Sequence, residues 1–374
     1  MARLGRHRIA AVAAAGIVLA TFSAPAAAAP PRSGPAPVLA YYYIWFNASS
    51  WNRDKRDVPL LGRYSSDEAS VMAQQIRWAR QSGIDGFIVS WKSTPTLDRR
   101  LSMLIRVAAR AHFPLAVAYE GLDFARRPLP VGEVRSDLAL FARRYAPAAP
   151  FHMLGRPLVI WSGTWRFTPA QVAGVTHGLR RSMLVLASDK SAHAYARVAS
   201  SFDGDAYYWS SADPLRTPGH LRKLRAMSAV VHRRGGLWVA PAAPGFDARL
   251  IGGRTLVPRR AGATLRRSLD DATASTPDVI GLISWNEFTE NSYVEPSRGY
   301  GFTALRTLAD VLGAQPPVEG GFDSSQSAPT GARYGLPLLG GFIAVLLPGA
   351  FLLGRRRRRR NGARPPRAPV RFLR

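Results

Sequence analysis

Gly281-Leu-Ile-Ser-Trp-Asn-Glu-Phe-Thr-Glu-Asn-Ser-Tyr-Val-Glu-Pro296 is the stretch around which the rest of the chain is arranged. Its apolar start, residues 279–283, predicts a short buried β-strand that ends at Trp285-Asn286-Glu287, with Glu290 three residues further on. The chain has 24 Asp and Glu residues against 51 Lys and Arg, so carboxylates gathered at one strand end stand out. Two interpretations stay open from this stretch alone. Asn286 and Glu287 cap a following helix, or Glu287 and Glu290 form the carboxylate pair that glycoside hydrolysis requires.

Seven further apolar runs of strand length precede this one, and each is followed by a segment with apolar residues at helical spacing. The eight predicted strands are residues 38–46, 84–91, 113–119, 158–161, 183–187, 205–209, 236–240 and 279–283. Eight alternating strand–helix pairs favour a (β/α)8 TIM barrel over an open doubly wound sheet. No Gly-rich phosphate fingerprint follows the first strand, which argues against a dinucleotide-binding fold. The sequence therefore predicts an α/β TIM barrel over residues 30–314.

The functional groups of such a barrel lie at the carboxyl ends of its strands. Those positions are rich in aromatic and acidic side chains: Trp45, Phe46, Trp51, Trp91, Lys92, Tyr119, Glu120, Trp161, Trp165, Asp189, Tyr208, Trp209, Phe246, Asp247, Trp285, Asn286, Glu287 and Glu290. A single aromatic residue is more often explained by packing than by binding. Their repetition at strand ends indicates a sugar-binding face, because aromatic rings stack on sugars while carboxylates and amides bind hydroxyls.

The net charge of +27 suggests a nucleic-acid partner until the charges are located. Ten arginines lie in residues 355–374 and three in residues 1–8. The other basic residues are spread through helical segments as Arg-Arg pairs, without interleaved aromatic residues or a recognition motif. We therefore expect no nucleic-acid partner. The absence of cysteine excludes disulfides, thiol catalysis and cysteine-ligated zinc.

The start of the chain predicts secretion. Residues 1–8 are basic, residues 9–22 are apolar, and residues 24–29 are small, which is the order found in a secretory signal peptide. We expect residues 1–29 to be removed.

The end of the chain predicts a membrane anchor. Residues 335–354 carry no charge and would span about 30 Å as a transmembrane helix. The arginines of residues 355–374 would form a cytoplasmic tail, so the barrel would be anchored at the cell surface and lie outside the cell. Residues 315–334, rich in Pro, Gly and Ser, are typical of a flexible linker. A cell-wall sorting signal is the alternative, because residues 336–340 (Leu-Pro-Leu-Leu-Gly) are similar to the LPxTG pattern.

Four stretches identify a resemblance to a known group of enzymes: residues 41–46 (YYYIWF), 83–91 (GIDGFIVSW), 244–247 (PGFD) and 284–296 (SWNEFTENSYVEP). They resemble glycoside hydrolase family 99 (endo-α-mannosidase) and the related family 71 (α-1,3-glucanase). The last stretch is the most specific, because it is similar to the pattern W-N-E-W-x-E-G-T-x-I-E-P of that group. The resemblance spans about residues 38–312.

The resemblance implies a retaining endo-glycosidase that acts on an α-mannan or α-glucan without a metal or other cofactor. Glu287 would act as a base on the sugar 2-hydroxyl, giving a 1,2-anhydro sugar, and Glu290 as general acid and then general base. Glu120 would help to bind the substrate, and Glu295 would support the structure. The other predicted substrate-binding residues are Trp45, Trp91, Tyr119, Trp209, Phe246, Asp247, Trp285 and Asn286.

Some positions differ from the pattern of the group. Phe246 replaces a common Tyr, Lys92 replaces a second Trp, and Thr289 and Asn291 replace the usual neighbours of the second glutamate. These differences keep open the alternative of a glycan-binding surface barrel that has lost turnover, and the basic body of the chain keeps open that of a scaffold on an anionic wall polymer. In each case we expect a monomer.

Overall fold

Eight parallel strands form the centre of the fold in the computed structural model, which describes residues 34–123 and 125–318. The predicted signal peptide (1–29), transmembrane helix (335–354) and cytoplasmic tail (355–374) lie outside these residues, as does the predicted linker from residue 319 onwards. Within the two described ranges, no helix is both long enough and apolar enough to cross a membrane.

The strands follow the predicted order closely. They are β1 (Val38–Tyr43), β2 (Gly86–Trp91), β3 (Leu115–Glu120), β4 (Leu158–Ser162), β5 (Leu184–Leu186), β6 (Gly204–Ala206), β7 (Leu237–Ala242) and β10 (Val279–Leu282), with a small hairpin of β8 (Phe246–Asp247) and β9 (Leu256–Val257) between the last two. Neighbours pair in the order β5-β4-β3-β2-β1-β10-β7-β6. Strands β5 and β6 also meet, because Ala187 N donates to Gly204 O (2.9 Å) and Ala206 N donates to Ala187 O (2.8 Å). The prediction of a (β/α)8 barrel is confirmed.

Helices surround the barrel and connect its strands. They are α1 (Ala69–Gln81), α2 (Pro95–Arg110), α3 (Val131–Arg144), α4 (Pro169–Thr176), α5 (Ala192–Val198), α6 (His220–Arg233), α7 (Ala263–Thr273) and α8 (Thr303–Leu312). Local sequence explains several of the starts. Thr168 and Gln171 form a capping box before α4, whose first residue is a proline.

Residues 65–68 (Ser-Ser-Asp-Glu) form only part of a capping box. Glu68 Oε1 accepts a hydrogen bond from Ser65 N (2.7 Å), but Ser65 Oγ bonds to Asp67 instead of to Glu68 N. The motif therefore builds a turn, and α1 begins after it at Ala69.

Side chains of each strand alternate between the barrel interior and the layer beneath the helices. In β1, Leu39 and Tyr41 lie in the inner cluster, whereas Val38, Ala40 and Tyr42 lie in the outer one. This alternation determines which way the side chain at the end of each strand faces. A side chain in phase with the inner cluster faces the mouth of the barrel, and its neighbour faces a helix.

Candidate active site

The loop after β10 is held in a compact, non-helical shape. Glu287 N donates to Ser284 Oγ (2.8 Å), Ser284 N donates to Ser292 O (2.6 Å), and Val294 N donates to Ser284 O (2.9 Å). The next helix, α8, starts only at Thr303. The helix-cap interpretation of Asn286 and Glu287 is therefore wrong, because no helix follows these residues directly.

Glu287 is a buried carboxylate with partners that favour its ionised form. Its Oε1 accepts a hydrogen bond from Thr289 N (2.9 Å), and its side chain is 3% exposed. Burial raises the pKa of Glu287 to about 7, while the hydrogen bonds from Thr289 and the positive charge of Lys55 act in the opposite direction. Glu287 is therefore a carboxylate that changes protonation state near neutral pH.

Glu290 is buried like Glu287, but its carboxylate lacks the hydrogen bonds that Glu287 has. Both of its carboxylate oxygens are buried and accept no hydrogen bond from any residue that the structure describes. Burial raises the pKa of Glu290 well above its usual range, and the charge of Glu287 raises it further, with only Arg126 opposing. Because Glu287 has hydrogen bonds and Glu290 has none, a proton shared by the two resides on Glu290.

Two tyrosines and a third acid lie beside this pair at the mouth of the barrel. The hydroxyls of Tyr43 and Tyr208 are 2.8 Å apart. Burial raises the pKa of Tyr43, and Glu287 and Glu290 raise it further, so both carboxylates lie close to this hydroxyl. Glu120, in phase with the inner face of β3, accepts a hydrogen bond from Ser90 Oγ (2.8 Å). The predicted residues Glu120, Glu287 and Glu290 thus share one region with Tyr208, which the sequence placed on the sugar-binding face, and with Tyr43, which it did not.

Three predicted substrate-binding aromatic residues face away from the mouth. Trp91, Tyr119 and Trp285 have fully buried side chains in the outer cluster. Trp91 Nε1 donates to Asp98, and Tyr119 Oη donates to Asp137 on α3. The prediction that these three contact the substrate is corrected to a packing role, because each lies out of phase with the inner face or behind it.

Asn286 belongs to a buried hydrogen-bond network instead of the mouth. Its amide Nδ2 donates to Tyr43 O (3.0 Å) and to Tyr64 Oη (3.2 Å), and its Oδ1 accepts from Tyr43 N (2.8 Å). Tyr64 in turn donates to Glu295 (2.9 Å), which also accepts from Gln75 (2.8 Å). The network attaches the loop after β10 to β1 and α1, so we assign Asn286 a positioning role in place of the predicted contact with substrate.

Glu295 makes stability depend on pH. Burial raises its pKa to about 8, although the hydrogen bonds from Gln75 and Tyr64 lower it. Its unfolded pKa is near 4.3, so folding takes up a proton between the two values and stability falls as pH rises through this window. We expect Glu295→Gln to reduce the slope of unfolding free energy against pH between about 5 and 8. Urea unfolding across that range measures it, with the exposed Glu133→Gln as the control. A slope unchanged by Glu295→Gln contradicts the assignment.

The hairpin β8–β9 contains two of the residues predicted to bind substrate, Phe246 and Asp247. Phe246 is fully buried against Ala248 and Val257. Asp247 is 1% exposed and pairs with Arg249 (2.7 Å) and Arg56 (2.7 Å). We correct the prediction that Phe246 and Asp247 bind substrate. Phe246 packs inside the hairpin and Asp247 forms ion pairs with two arginines, so neither side chain is available to a substrate. Asp247 N donates to Glu290 O (2.7 Å), so the hairpin supports the loop after β10.

Partly exposed aromatic residues remain at the mouth. Trp45 stacks on Tyr43 with ring centroids 4.2 Å apart, and Trp209 stacks on His220 at 4.9 Å. Three basic residues, Lys55, Arg126 and Lys190, were not predicted as site residues. The positions of Lys55, Arg126 and Lys190 in loops gave no local pattern from which to predict them.

Comparisons with known proteins find solved structures that share this barrel fold. No family model and no curated protein matches the chain. A family 99 endo-α-mannosidase from Bacteroides thetaiotaomicron has a similar structure, with a TM-score of 0.64, 18% identity, and coverage of 73% of this chain and 96% of that one. A glycoside hydrolase-like protein matches with a TM-score of 0.56 at 14% identity over 78% and 97% of the two chains.

A third solved structure shows how far this likeness extends. The exo-β-1,4-mannosidase Op5Man5 from the Opitutaceae bacterium strain TAV5 matches with a TM-score of 0.50 at 11% identity, over 76% of this chain and 61% of that one. Structures with different linkage and chain-end preferences share the barrel, so at these identities the likeness concerns the fold. The predicted resemblance is confirmed at that level, and the chain has a fold like that of the family 99 endo-α-mannosidase.

Proposed function

We propose that the barrel is a retaining glycoside hydrolase that cleaves an α-linked glycan within the chain. The observation that carries the proposal is the pair Glu287 and Glu290, buried at the mouth with environments that separate their affinities for a proton. Two neighbouring carboxyl groups tuned apart in this way supply one acid and one base. The fold likeness to glycoside hydrolases supports the same reaction class.

The two glutamates divide the reaction between them. Glu287, the more readily ionised, takes the proton of the sugar 2-hydroxyl as O2 attacks C1. Glu290 gives its proton to the departing glycosidic oxygen, so the C1–O bond breaks and a 1,2-anhydro sugar forms. Glu290, now a carboxylate, then takes a proton from water as the water oxygen opens the ring at C1, and O2 recovers a proton from Glu287. Two displacements at C1 retain its configuration.

This route selects the sugar by stereochemistry. O2 can displace the leaving group only from the opposite face of C1. An α-mannoside holds O2 and the glycosidic oxygen on opposite faces, whereas an α-glucoside holds them on the same side. The proposal therefore favours an α-mannan over an α-glucan as the substrate.

The reaction has a predictable pH profile. Turnover needs ionised Glu287 and protonated Glu290, so we expect kcat/KM to rise with pH as Glu287, with a pKa of about 7, loses its proton. The rate falls at higher pH, where Glu290 loses its own proton. Initial rates between pH 5 and 10 on a cleaved glycan measure both limbs.

Lys55 offers a specific control for the acid limb. Its charge lowers the pKa of Glu287, so Lys55→Gln is expected to move the rising limb to higher pH. Arg233→Gln, on the exposed end of α6, removes the same charge without this effect. Identical profiles for wild type and Lys55→Gln would contradict the assignment of the rising limb to Glu287.

A glycan digest tests the activity itself. The purified chain is incubated with α-mannans and α-glucans of defined linkage, and released reducing ends and fragment sizes are measured. Internal cleavage of an α-mannan with α-configured new ends supports the proposal. Binding without cleavage of any glycan supports instead the alternative of a glycan-binding barrel, which the unusual neighbours Thr289 and Asn291 motivate.

We also propose that this barrel acts outside the cell, anchored by residues 335–354, as the sequence predicts. Added protease should remove the domain from intact cells that express the full chain. Protection of the domain until the cells are lysed would refute this location.

A further inference from the structure

Four basic residues lie in the segments that follow four neighbouring strands, on the same side of the barrel mouth. Arg126 follows β3, Arg166 follows β4, Lys190 follows β5, and Lys223 lies in the first turn of α6, which follows β6. Strands β3, β4, β5 and β6 are consecutive around the barrel, so their carboxyl-terminal loops adjoin. This set of four residues, here the basic arc, covers half of the rim.

Aromatic rings position the two lysines without neutralising them. Lys190 Nζ lies 4.1 Å from the centroid of the Trp165 ring. Lys223 Nζ lies 4.5 Å from the centroid of the Trp209 ring and donates to Tyr207 Oη (2.8 Å). Cation–π contacts favour the charged form and leave donors of the ammonium group available.

Two acids on the same loops are paired with other arginines, and Asp189, which precedes Lys190, is buried. Asp123, in the loop after β3, pairs with Arg127 (2.8 Å), and Asp213, in the loop after β6, pairs with Arg260 (2.7 Å). Within residues 34–123 and 125–318, no ion pair joins Arg166, Lys190 or Lys223 to an acid. Arg166, Lys190 and Lys223 therefore present positive charge that no ion pair with a described acid neutralises.

The four cations are close enough to repel one another. Partial burial, together with the charges of Arg126, Arg166 and Lys223, lowers the pKa of Lys190 to about 8. This repulsion raises the electrostatic energy of the unbound site, and a bound anion would lower it. The arc also reaches the catalytic centre, because the charge of Arg126 acts on both Glu120 and Glu290.

We infer that the basic arc is a subsite for an anionic group of the substrate, so that the glycan cleaved at Glu287 and Glu290 carries phosphate, sulfate or carboxylate substituents. The inference rests on the proposed function, since it names the substrate class of the same site. Arg126 places the subsite next to the bond that is cleaved. Arg166, Lys190 and Lys223 extend it along the rim, which suits a substituent on a neighbouring sugar.

The arrangement fits an anionic glycan better than a nucleic acid. Single-stranded nucleic acids are held by aromatic faces that are free for stacking. Here the Trp165 face is occupied by Lys190, and the Trp209 ring lies between His220 and Lys223. Charge is available at this surface, whereas a lysine already lies over the ring of each of these two tryptophans.

Anion binding tests the subsite without requiring catalysis. Inorganic phosphate and inorganic sulfate are titrated into the full chain at constant ionic strength, with binding followed by calorimetry and thermal shift. We expect saturable binding that the double variant Arg166→Gln/Lys190→Gln weakens by about tenfold or more. The matched control is Arg233→Gln/Arg234→Gln, which removes the same charge at the opposite end of α6 and should bind as wild type does. Absent binding, or equal weakening by both variants, overturns the inference.

A paired glycan assay links the subsite to the substrate. The same α-mannan is compared in neutral and phosphorylated forms, and a uronic-acid-containing α-glycan distinguishes carboxylate from phosphate. We expect a lower KM for a charged form, and Arg166→Gln/Lys190→Gln should raise that KM about tenfold more than it raises the KM of the neutral form. Equal KM values for neutral and charged glycans, or tighter binding of single-stranded DNA than of the charged glycan, overturn the inference. If phosphate binds saturably but no glycan is cleaved, the proposed hydrolase fails and the anion subsite stands.

Discussion

Glu290→Gln is expected to lower kcat for a natural glycan by about 10²–10⁴-fold. The glycosidic oxygen of a sugar is a poor leaving group unless it is protonated, and the amide of glutamine cannot supply that proton. The change preserves shape and removes a buried carboxyl group that no described residue bonds. Folding should therefore be unaffected. A midpoint temperature of thermal unfolding at least as high as that of wild type would show that the variant has lost chemistry and not structure. Rates of reducing-end release measure the effect.

Leaving-group dependence makes this prediction specific. An aryl glycoside with an acidic phenol departs without protonation, so Glu290→Gln should slow its first step far less than it slows a glycan. Glu287→Gln should slow both substrates, because attack by O2 needs a base whatever leaves. Glu133→Gln, on the exposed face of α3, is the matched control and should retain full activity. Equal losses on both substrates for Glu290→Gln would show that it is not the general acid.

The fold could be predicted because each element has a local signal. Runs such as residues 84–91 and 279–283 are apolar over a strand's length, and the Thr168-Pro169 start of α4 has a capping side chain with proline in the first turn. Counting these elements was enough to identify a barrel. The strand after β5 was predicted over residues 205–209 but ends at Ala206, because residues 207–209 already belong to the mouth loop.

The direction of side chains at strand ends was predicted less well, for a reason of phase. Trp91 and Tyr119 pair with each other across β2 and β3 and face outward, whereas Ser90 and Glu120 lie in the opposite phase and face the mouth. A shift of one residue moves a side chain to the other face of a strand. Following the alternation of inner residues Leu39 and Tyr41 would have identified Tyr43 as a mouth residue.

The cations of the mouth had no sequence signal at all. Arg166 and Lys190 are single basic residues and Arg126 belongs to an Arg126-Arg127 pair, and all three lie in separate loops of a chain with 51 Lys and Arg residues. Only the closure of the barrel brings these loops together, so their shared location depends on contacts distant in sequence. The same holds for Glu295, whose partners Gln75 and Tyr64 precede it by more than two hundred residues.

Gly204→Ala is expected to be the most destabilising single methyl addition in the barrel. Gly204 pairs with Leu237 across β6 and β7, and a Cβ at this position would lie 2.0 Å from Leu237 O and 2.6 Å from Leu237 N. Both atoms belong to the backbone, so no side-chain rotation relieves the overlap. We expect the free energy of unfolding to fall by more than about 3 kcal/mol, measured from the midpoint of urea unfolding.

The cause of that loss lies at the seam of the barrel. Gly204 O also accepts the hydrogen bond from Ala187 N that joins β5 to β6, so displacement of β6 weakens the pairing on both sides. Gly132→Ala is the control, since no atom lies within 4 Å of the added methyl group and alanine is favoured in the helix α3. We expect that variant to be stabilised by up to about 1 kcal/mol. A wild-type midpoint for Gly204→Ala would mean that β6 and β7 are not in this register, and the placement of Lys223 and Tyr208 at the mouth would then fail with it.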